Sequence, residues 1–406
     1  MAAHKIFSAR VRHALFVLNS YDGNIPFSQH LKDFYNKHKK FGSKDRKKVA
    51  ELCFSRLRFG DTFGKPITEQ QVALSYFALS NDESDVENLK LSGFLPENAT
   101  TLDWPDKLKL IASLEPSVNI DNLFPSQDKL SKQLNSLAFI QNHLTRPLIW
   151  FRCKHAQIAK FKEILQHNAI AFEVSEDCMF GFVSELNLAK LCNHNLGYYG
   201  EIQDLNSYRC VAHLQISATA KVWDACAASG GKSLALMDKN PKLSLYVSDK
   251  RKSILENLFE RFDSARLAQP KYAQLDLTQP LETLTFYDKL VTEAVPLAYF
   301  DVILADVPCS GSGTWARNPE HLLFFDAETI TQYAKTQLSI VKNLLPYLST
   351  NGKLLYVTCS AYEAENEEVI ENILASHPEM NLIQSSYLLG YENKADTLFY
   401  ALLEKV

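Results

Sequence analysis

The spacing of apolar positions changes twice along the chain and divides it into three parts. From residue 1 to about residue 140 apolar side chains recur at helical intervals, as they do over residues 9–18 and 47–57. Gly42 and Ser43 precede the second of these segments and Gly60 follows it, and these are start and stop signals of a helix. We therefore predict a helical N-terminal region.

Residues 141–206 show a different pattern, in which short strand-like runs alternate with helical segments. RPLIWFRC, AIAFEVS and MFGFV have the apolar and aromatic composition of strands. HAQIAKFKEILQHN, between the first two, has the periodicity of an amphipathic helix. This part of the chain is predicted to form one small α/β unit.

From residue 207 to residue 406 apolar strand runs alternate with longer helical segments, which is the pattern of βαβ units around a parallel, doubly wound sheet. The predicted strands are KVWDAC, LSLYVSD, YAQLDL, FDVILADVP, GKLLYVTCS and LFYALLEKV. Ligands of such α/β folds bind beyond the carboxyl ends of the strands. The turns that follow these strands are therefore the place to look for chemistry.

The composition is that of a protein with a substantial core. The chain has 406 residues, of which 46% are hydrophobic and 22% charged, so two or three domains are expected. It contains no run of about 18 apolar residues and no signal-peptide core at its start, so we expect a cytoplasmic protein without membrane association. The eight cysteines are scattered and form no C-x-x-C pair, which predicts reduced thiols and no metal site.

The formal net charge of −4 conceals a basic N-terminus. Residues 1–60 contain 13 Lys and Arg but only 4 Asp and Glu. Such a surplus is often just a solvated face of a helical region. It is equally compatible with a surface that contacts a phosphate backbone.

A glycine turn, SGGKS at residues 229–233, follows the first strand of the C-terminal part and precedes a predicted helix. Glycines there let backbone N–H groups approach a ligand at a helix N-terminus. A P-loop would need glycine at position 226, where this chain has Cys226. Gly231, Lys232 and Ser233 supply the end of that motif, and Asp306, which follows ILA at residues 303–305, could hold magnesium, so the P-loop hypothesis stays open.

A second interpretation of the turn depends on acids that end successive strands. These are Asp224, Asp249, Asp276 and Asp306. An acid after the second strand of a doubly wound sheet commonly accepts hydrogen bonds from a ribose, which favours a nucleoside cofactor over a triphosphate. Each acid taken alone could be a helix cap or a turn residue, but four at successive strand ends favour a binding role.

Two cysteines lie in turns after the fourth and fifth predicted strands of this part, Cys309 behind a rigid Pro308 and Cys359 behind Thr358. If those strands are neighbours, both thiols face one pocket. A thiolate beside a nucleoside cofactor suggests covalent catalysis on an electron-poor carbon, such as carbon 6 of cytosine.

Three segments resemble the motifs of a known family. DACAASGGKS, ADVPCSGSGTWARNPE and YVTCSAYEAENEEV are similar to the cofactor, Pro-Cys and Thr-Cys motifs of the Sun/Fmu (RsmB-like) family of RNA cytosine-5 methyltransferases. The similarity extends through EIQDLNS at residues 201–207 and covers about the last half of the chain. The basic N-terminus resembles, more weakly, the helical RNA-binding extension of bacterial members.

The resemblance implies roles for particular residues. Cys359 would attack cytosine, Cys309 would assist release of the methylated base, and Lys232 would lie near the reacting groups. The expected ligands of S-adenosylmethionine are Cys226, Ala227, Ala228, Ser229, Gly230, Gly231, Lys232, Asp249, Asp276 and Asp306. Residues expected to touch RNA are Arg152, Arg317 and Asn318, of which the last two could otherwise be a surface charge and a loop cap.

The chain departs from the family pattern at two places. It has Ser229 where the family usually has proline, which predicts a less rigid cofactor loop. It also reads Phe-Arg-Cys-Lys at residues 151–154, where the family usually reads Leu-Arg-Val-Asn. The second departure affects the RNA contact expected at Cys153.

Together these features predict a three-part enzyme. Residues 1–140 would form a helical RNA-binding extension, residues 141–206 a small RNA-recognition-like α/β unit, and residues 207–406 a class I, Rossmann-like methyltransferase domain. The expected substrate is a cytosine in structured RNA, ribosomal rather than transfer RNA, with no metal and no obligate protein partner. The competing hypotheses are a P-loop-like NTPase and a non-catalytic RNA-binding assembly factor.

Overall fold

The computed structural model describes residues 2–176, 178–183, 186–212, 214–288 and 291–406. Its contacts divide the chain into two compact units. The helical unit contains Met1–Asp128, Ser136–Arg146 and Trp315–Ala327. The sheet unit contains Lys129–Asn135, Pro147–Thr314 and Glu328–Val406. The division into three parts at residues 140 and 206 stays a prediction.

The described residues form helices and strands whose bounds are as follows. The helices are α1 (Ala2–Asn19), α2 (Phe27–Lys37), α3 (Ser43–Arg58), α4 (Glu69–Leu79), α5 (Glu83–Leu91), α6 (Trp104–Leu114), α7 (Ser136–Asn142), α8 (Ile158–His167), α9 (Leu188–Leu191), α10 (Leu196–Tyr199), α11 (Leu205–Ala212), α12 (Gly231–Lys239), α13 (Lys252–Ala265), α14 (His321–Phe324), α15 (Glu328–Leu344), α16 (Glu367–Ser376) and α17 (Gly390–Asn393). The strands are β1 (Ile149–Cys153), β2 (Glu173–Ser175), β3 (Met179–Phe182), β4 (Gly200–Ile202), β5 (Lys221–Asp224), β6 (Ser244–Asp249), β7 (Lys271–Gln274), β8 (Leu284–Tyr287), β9 (Thr292–Val295), β10 (Phe300–Asp306), β11 (Leu348–Thr358), β12 (Met380–Leu388) and β13 (Leu398–Lys405).

The helical unit confirms the predicted helical N-terminal region. The apolar positions that recur along α3, such as Val49, Leu52 and Leu57, are fully buried in a core shared by α1 to α6. Helical spacing places these residues on one face, and burial of that face supplies most of the stability of such a helix.

A later segment of the chain, Trp315–Ala327, is packed within the helical unit. The Trp315 ring stacks on that of Phe124 at a centroid distance of 5.2 Å. Arg58 Nη1 donates a hydrogen bond to the Ala316 carbonyl oxygen at 2.9 Å, and Glu320 Oε1 accepts one from the Phe27 backbone N–H at 3.0 Å. The residues that follow the Pro-Cys turn are therefore held by the N-terminal helices.

The sheet unit contains two sheets. A small antiparallel sheet has the strand order β2-β3-β1-β4. The large sheet has the order β12-β13-β11-β10-β5-β6-β7-β8-β9, with parallel pairing from β11 to β7 and antiparallel strands at both edges. The predicted α/β class with a mainly parallel, doubly wound centre is confirmed.

The central strands are buried because they are covered on both faces. In β10 the residues from Val302 to Ala305 are all buried, as expected of a strand in the middle of a parallel sheet. The register pairs Asp306 with Val357 of β11 and Leu304 with Asp224 of β5. The carboxyl ends of β5, β10 and β11 consequently lie side by side at one edge.

Gly313 fixes the chain just beyond that edge. Its N–H donates to the Cys359 carbonyl oxygen at 2.8 Å, and its own carbonyl oxygen accepts from Thr397 N–H at 3.0 Å. A Cβ at this position would lie 2.0 Å from the Thr397 carbonyl oxygen. Glycine is therefore required by a close approach of three backbone segments.

We expect Gly313→Ala to lower the free energy of unfolding by about 1–3 kcal/mol, because the backbone must shift to admit a methyl group. Chemical denaturation measures this loss. Gly231→Ala is the matched control, since a Cβ there would meet nothing closer than 3.7 Å and alanine favours the helix that begins at that residue. Equal stability of the two variants would contradict the prediction.

Candidate active site

The four acids predicted at strand ends lie along one edge of the large sheet. Asp306, Asp224 and Asp249 end β10, β5 and β6, which are adjacent in that order. Asp276 lies two residues beyond β7, the next strand. Parallel pairing puts all four at the edge where ligands of α/β folds bind.

The glycine turn is attached to the end of β6. Gly230 has φ +80°, and a Cβ there would lie 2.8 Å from Leu258 Cγ, so both conformation and packing require glycine. Ala227 N–H donates to the Ser248 carbonyl oxygen at 2.9 Å, and Ala228 N–H donates to Asp249 Oδ2 at 3.1 Å. Gly231 then begins α12. The turn thus presents a helix N-terminus beside the row of acids.

Cys226, the first residue of this turn, lies among three of the acids. Burial raises the pKa of its thiol well above the usual value, and the charges of Asp306, Asp224 and Asp249 raise it further. The Cys226 side chain is therefore a neutral thiol at physiological pH.

Asp249 and Asp276 already have partners within the protein. Arg251 donates to Asp249 through its backbone N–H at 2.9 Å and through its guanidinium at 3.1 and 3.3 Å. Asp276 pairs with Lys250 at 2.8 Å and accepts from the Thr278 hydroxyl at 2.7 Å, and these hydrogen bonds lower its pKa to about 2. Both acids are therefore held in place by partners within the protein.

Ser229 is held by a guanidinium that the sequence did not identify. Arg261 Nη1 donates to the Ser229 carbonyl oxygen at 2.7 Å and lies 2.8 Å from its Oγ. The other side of Arg261 pairs with Glu201 at 2.9 Å. Arg261, which Glu201 holds in place, therefore restrains the turn at Ser229, the position where the family usually has proline.

Lys232, the last of the predicted cofactor-turn residues, forms an ion pair with Asp306. Its Nζ lies 2.6 Å from Asp306 Oδ2. Burial alone would lower the pKa of Lys232, but the neighbouring Asp306 charge outweighs it and raises the pKa above the usual value. The lysine is therefore positively charged and links α12 to the end of β10.

Cys309 and Cys359 lie side by side, with 3.3 Å between their sulfur atoms and no bond joining them. The prediction that both thiols face one place depended on β10 and β11 being neighbours, and they are. The hydrogen bond with Cys359, followed by burial, raises the pKa of the Cys309 thiol well above the usual value. Cys309 thus keeps its proton at neutral pH.

Residues that the sequence did not single out connect the two cysteine turns. The carboxylate of Glu365 accepts hydrogen bonds from Ser310, which follows Cys309, and from Ser360, which follows Cys359. Glu365 occurs in an acid-rich stretch, AENEE, where sequence offers no signal to distinguish it from its neighbours. Only the fold shows that it is buried.

The predicted RNA contacts lie in different surroundings. Arg152 is 2% exposed, donates to Gln203 Oε1 at 2.8 Å and pairs with Asp238. Arg317 and Asn318 belong to the segment held in the helical unit, where Arg317 is half-buried and Asn318 is exposed. Contact of these residues with RNA stays a prediction.

The described residues show neither a metal-binding cluster nor a membrane-spanning helix. Within them, His, Cys, Asp and Glu side chains form no group of three or more that could hold a metal ion. No helix in the same part of the chain is long and apolar enough to cross a membrane.

Comparison with known proteins gives consistent results. Residues 211–401 match the family model described as 16S rRNA methyltransferase RsmB/F. The probable ribosomal RNA small subunit methyltransferase B of Coxiella burnetii is 32% identical over 238 residues, which are 54% of this chain and 53% of that protein. The Yersinia enterocolitica enzyme of that name is 25% identical over 413 residues, 90% of this chain and 92% of the relative. The first alignment thus spans about half of the relative's length.

Solved structures share the fold. PH0851 superposes with a TM-score of 0.71 at 18% identity, covering 98% of this chain and 99% of that one. NSun6 from Pyrococcus horikoshii with SFG gives a TM-score of 0.57 at 15% identity, covering 69% of this chain and 96% of that one. These similarities confirm the predicted α/β fold with a helical N-terminal region.

The buried acid Asp224 gives a pH-dependent prediction. Ser233 Oγ donates to its Oδ2 at 2.6 Å, yet burial raises the Asp224 pKa to about 7 from an ordinary value of 3.8. The unfolded chain therefore loses this proton at lower pH than the folded protein, so this group's contribution to stability decreases as pH rises from about 4 to about 7. Asp224→Asn should become more stable relative to the wild type over that range.

Thermal denaturation of both proteins at several pH values measures this difference. Asp276→Asn is the control, because a carboxyl group with a pKa of about 2 is ionised above pH 5 in the folded and the unfolded protein alike. Its stability relative to the wild type should not change between pH 5 and pH 8. A pH-independent difference for Asp224→Asn would contradict the prediction.

Proposed function

Because residues 211–401 match the family model described as 16S rRNA methyltransferase RsmB/F, we propose that the chain transfers a methyl group from S-adenosylmethionine to carbon 5 of a cytosine in structured RNA. The observation that carries the proposal is the pair of thiols 3.3 Å apart, next along the same sheet edge to a row of acids and a glycine turn. Ribosomal RNA is the proposed substrate, since the similar proteins are named as ribosomal RNA methyltransferases.

The residues at the sheet edge fit S-adenosylmethionine. Gly230 and Gly231 open the backbone at the start of α12, and Oδ1 of the buried Asp224 has no hydrogen-bond partner among the described residues. The turn from Cys226 to Lys232 with Asp249, Asp276 and Asp306 would hold the cofactor. When bound, S-adenosylmethionine supplies an electrophilic methyl group. NSun6 from Pyrococcus horikoshii, a solved structure that shares the fold, is described with SFG, an S-adenosylmethionine analogue.

Cys359 is the proposed nucleophile. Cys309 keeps its proton and can donate it in the hydrogen bond between the sulfurs, so the sulfur of Cys359 is the one that we assign to the attack. A bond from Cys359 sulfur to carbon 6 of cytosine turns carbon 5 into an enamine-type nucleophile. The target base must leave its stack for this attack on its face.

Release of the product requires loss of the carbon-5 proton and cleavage of the bond between sulfur and carbon 6. Cys309 is the proposed group that assists this step, because its sulfur lies 3.3 Å from the nucleophile. Lys232, charged and paired with Asp306, would keep a positive charge at the same edge throughout. The carbon-5 proton passes to solvent, its electron pair re-forms the double bond between carbons 5 and 6, and the sulfur leaves as the Cys359 thiolate, which takes a proton back from solvent.

Substitutions of the two cysteines should give different results. Cys359→Ser should reduce transfer of tritiated methyl groups to ribosomal RNA to background and form no covalent adduct. Cys309→Ser should accumulate a protein–RNA adduct that survives denaturing electrophoresis, because attack proceeds and release does not. The double variant, lacking the nucleophile, should form no adduct. Normal methylation by Cys359→Ser would refute the mechanism, and a reversed pattern would exchange the two roles.

Cofactor and substrate class can be tested separately. Calorimetry should show one site for S-adenosylmethionine and no binding of ATP with magnesium, since Cys226 replaces the first glycine of a P-loop. Binding of ATP alone would favour an NTPase. If the chain methylates transfer RNA but not ribosomal RNA, transfer RNA is its substrate. If it binds RNA and neither cysteine is needed for its role, it is an assembly factor.

A further inference from the structure

We propose that Glu365 is a positioning residue. It fixes the distance between the Cys309 and Cys359 sulfur atoms by forming a hydrogen bond with the residue that follows each cysteine. The proposal rests on the proposed function for its kinetic consequence, but the geometry of the thiol pair can be measured without it. Glu365 does not touch a reacting atom, so its role is to orient the cysteines.

The carboxylate of Glu365 bridges two turns that come from different strands. Its Oε2 accepts from the Ser310 backbone N–H at 2.8 Å, and its Oε1 accepts from the Ser360 hydroxyl at 2.8 Å. Ser310 is the neighbour of Cys309 and Ser360 is the neighbour of Cys359. Each oxygen of one carboxylate therefore holds one cysteine turn.

A second side chain extends this connection. Gln337 Nε2 donates to Glu365 Oε2 at 3.1 Å and to the carbonyl oxygen of Pro308, on the other side of Cys309, at 2.9 Å. Tyr356 OH donates to the Glu365 carbonyl oxygen at 2.7 Å and lies 3.1 Å from Gln337 Oε1. Backbone groups on both sides of Cys309 are thus fixed to the same buried cluster.

The cluster requires an acceptor at each carboxylate oxygen. Glu365 is fully buried, and burial raises its pKa, while the hydrogen bonds from Ser310, Ser360 and Gln337 oppose that shift. A glutamine at this position would have the same shape but would turn an NH2 group either toward the donors on the other side or toward Ser360 Oγ. Both lone pairs of that hydroxyl oxygen are already used, because it accepts from Tyr362 N–H and from the Ser310 hydroxyl, each at 3.1 Å. One turn would then lose its hydrogen bond, and a donor would face a donor.

The sheet alone does not determine the distance between the sulfurs. Strands β10 and β11 bring the starts of the two turns together, but Cys309 lies three residues beyond the end of β10. A cross-link beyond the strand ends is needed to fix the sulfurs at 3.3 Å. The Gly313 N–H bond to the Cys359 carbonyl oxygen and the hydrogen bond between the Ser310 and Ser360 hydroxyls join the same two turns, and the Glu365 carboxylate adds the link next to both cysteines.

Glu367 offers a matched control. It lies two residues further on and is half-buried, and burial raises its pKa as it does that of Glu365. Its carboxylate accepts hydrogen bonds from Ser131 and from Tyr387 OH. Among the described residues, Glu367 forms no hydrogen bond with Ser310 or Ser360. Glu367→Gln therefore removes a comparable buried charge from the same part of the fold without altering the link between the cysteine turns.

The experiment compares Glu365→Gln and Glu367→Gln in the full-length chain. Diamide, which takes up two hydrogen atoms as two thiols become one disulfide, is added and formation of the Cys309–Cys359 disulfide is followed by mass spectrometry. We expect the disulfide to form at least about tenfold more slowly in Glu365→Gln and at the wild-type rate in Glu367→Gln. Thermal denaturation of both variants controls for loss of fold.

Kinetics provide the second measurement. A displacement of about 1 Å in a reacting group can lower a rate by about 100-fold, so kcat for methyl transfer should decrease to that extent in Glu365→Gln. The dissociation constant for S-adenosylmethionine should stay within about twofold of the wild-type value, because none of the predicted cofactor residues bonds to Glu365. Ser360→Ala, which removes one of the hydrogen bonds, should have an intermediate effect and replaces Glu365→Gln if that variant does not fold.

The outcomes separate this inference from the proposed function. If disulfide formation and kcat are the same in the two glutamine variants, Glu365 is merely structural and the inference is wrong. If the wild-type chain transfers no methyl group but Glu365→Gln still slows disulfide formation, the proposed function fails and the positioning role stands.

Discussion

The parallel pairing of β10 with β11 is the constraint on which the rest of the site depends. Its register places Asp306 beside Val357, so that Cys309 and Cys359 follow within three residues of adjacent strand ends. Both strands are apolar and buried, and their burial holds this register, since a slip by one residue would turn the apolar side chains of a strand to its other face. The free energy that stabilises the core therefore also determines which side chains meet at the edge.

Charge is arranged along that edge so that few carboxylates lack a partner. Asp306 is balanced by Lys232, Asp249 by Arg251, and Asp276 by Lys250. Asp224 differs from them, because among the described residues its buried carboxylate is hydrogen-bonded by the Ser233 hydroxyl and by no cation, and burial raises its pKa. Removing the cation of a buried pair leaves an uncompensated charge, which is why Lys232 and Asp306 depend on each other.

Much of the fold could be predicted from sequence because the buried strands have a strong local pattern. All six strands predicted for residues 207–406 are present, whereas the edge strands β8, β9 and β12 were missed. Those strands are short or largely exposed, so periodicity carries little information about them.

The cysteine pair could be predicted from two turns and one assumption about strand order. The bonds of Arg261 to Ser229 and of Glu365 to Ser310 could not, because each joins residues 32 or more positions apart.

The Pro-Cys turn is restrained on both sides by different parts of the molecule. Before Cys309, β10 and the Gln337 hydrogen bond to Pro308 fix the chain within the sheet unit. After Gly313, the chain continues into Trp315–Ala327, which Arg58 and Phe124 hold within the helical unit. The chain therefore passes from the sheet unit into the helical unit between Thr314 and Trp315, so the turn that carries Cys309 and the segment that follows it are stabilised by two separate sets of contacts.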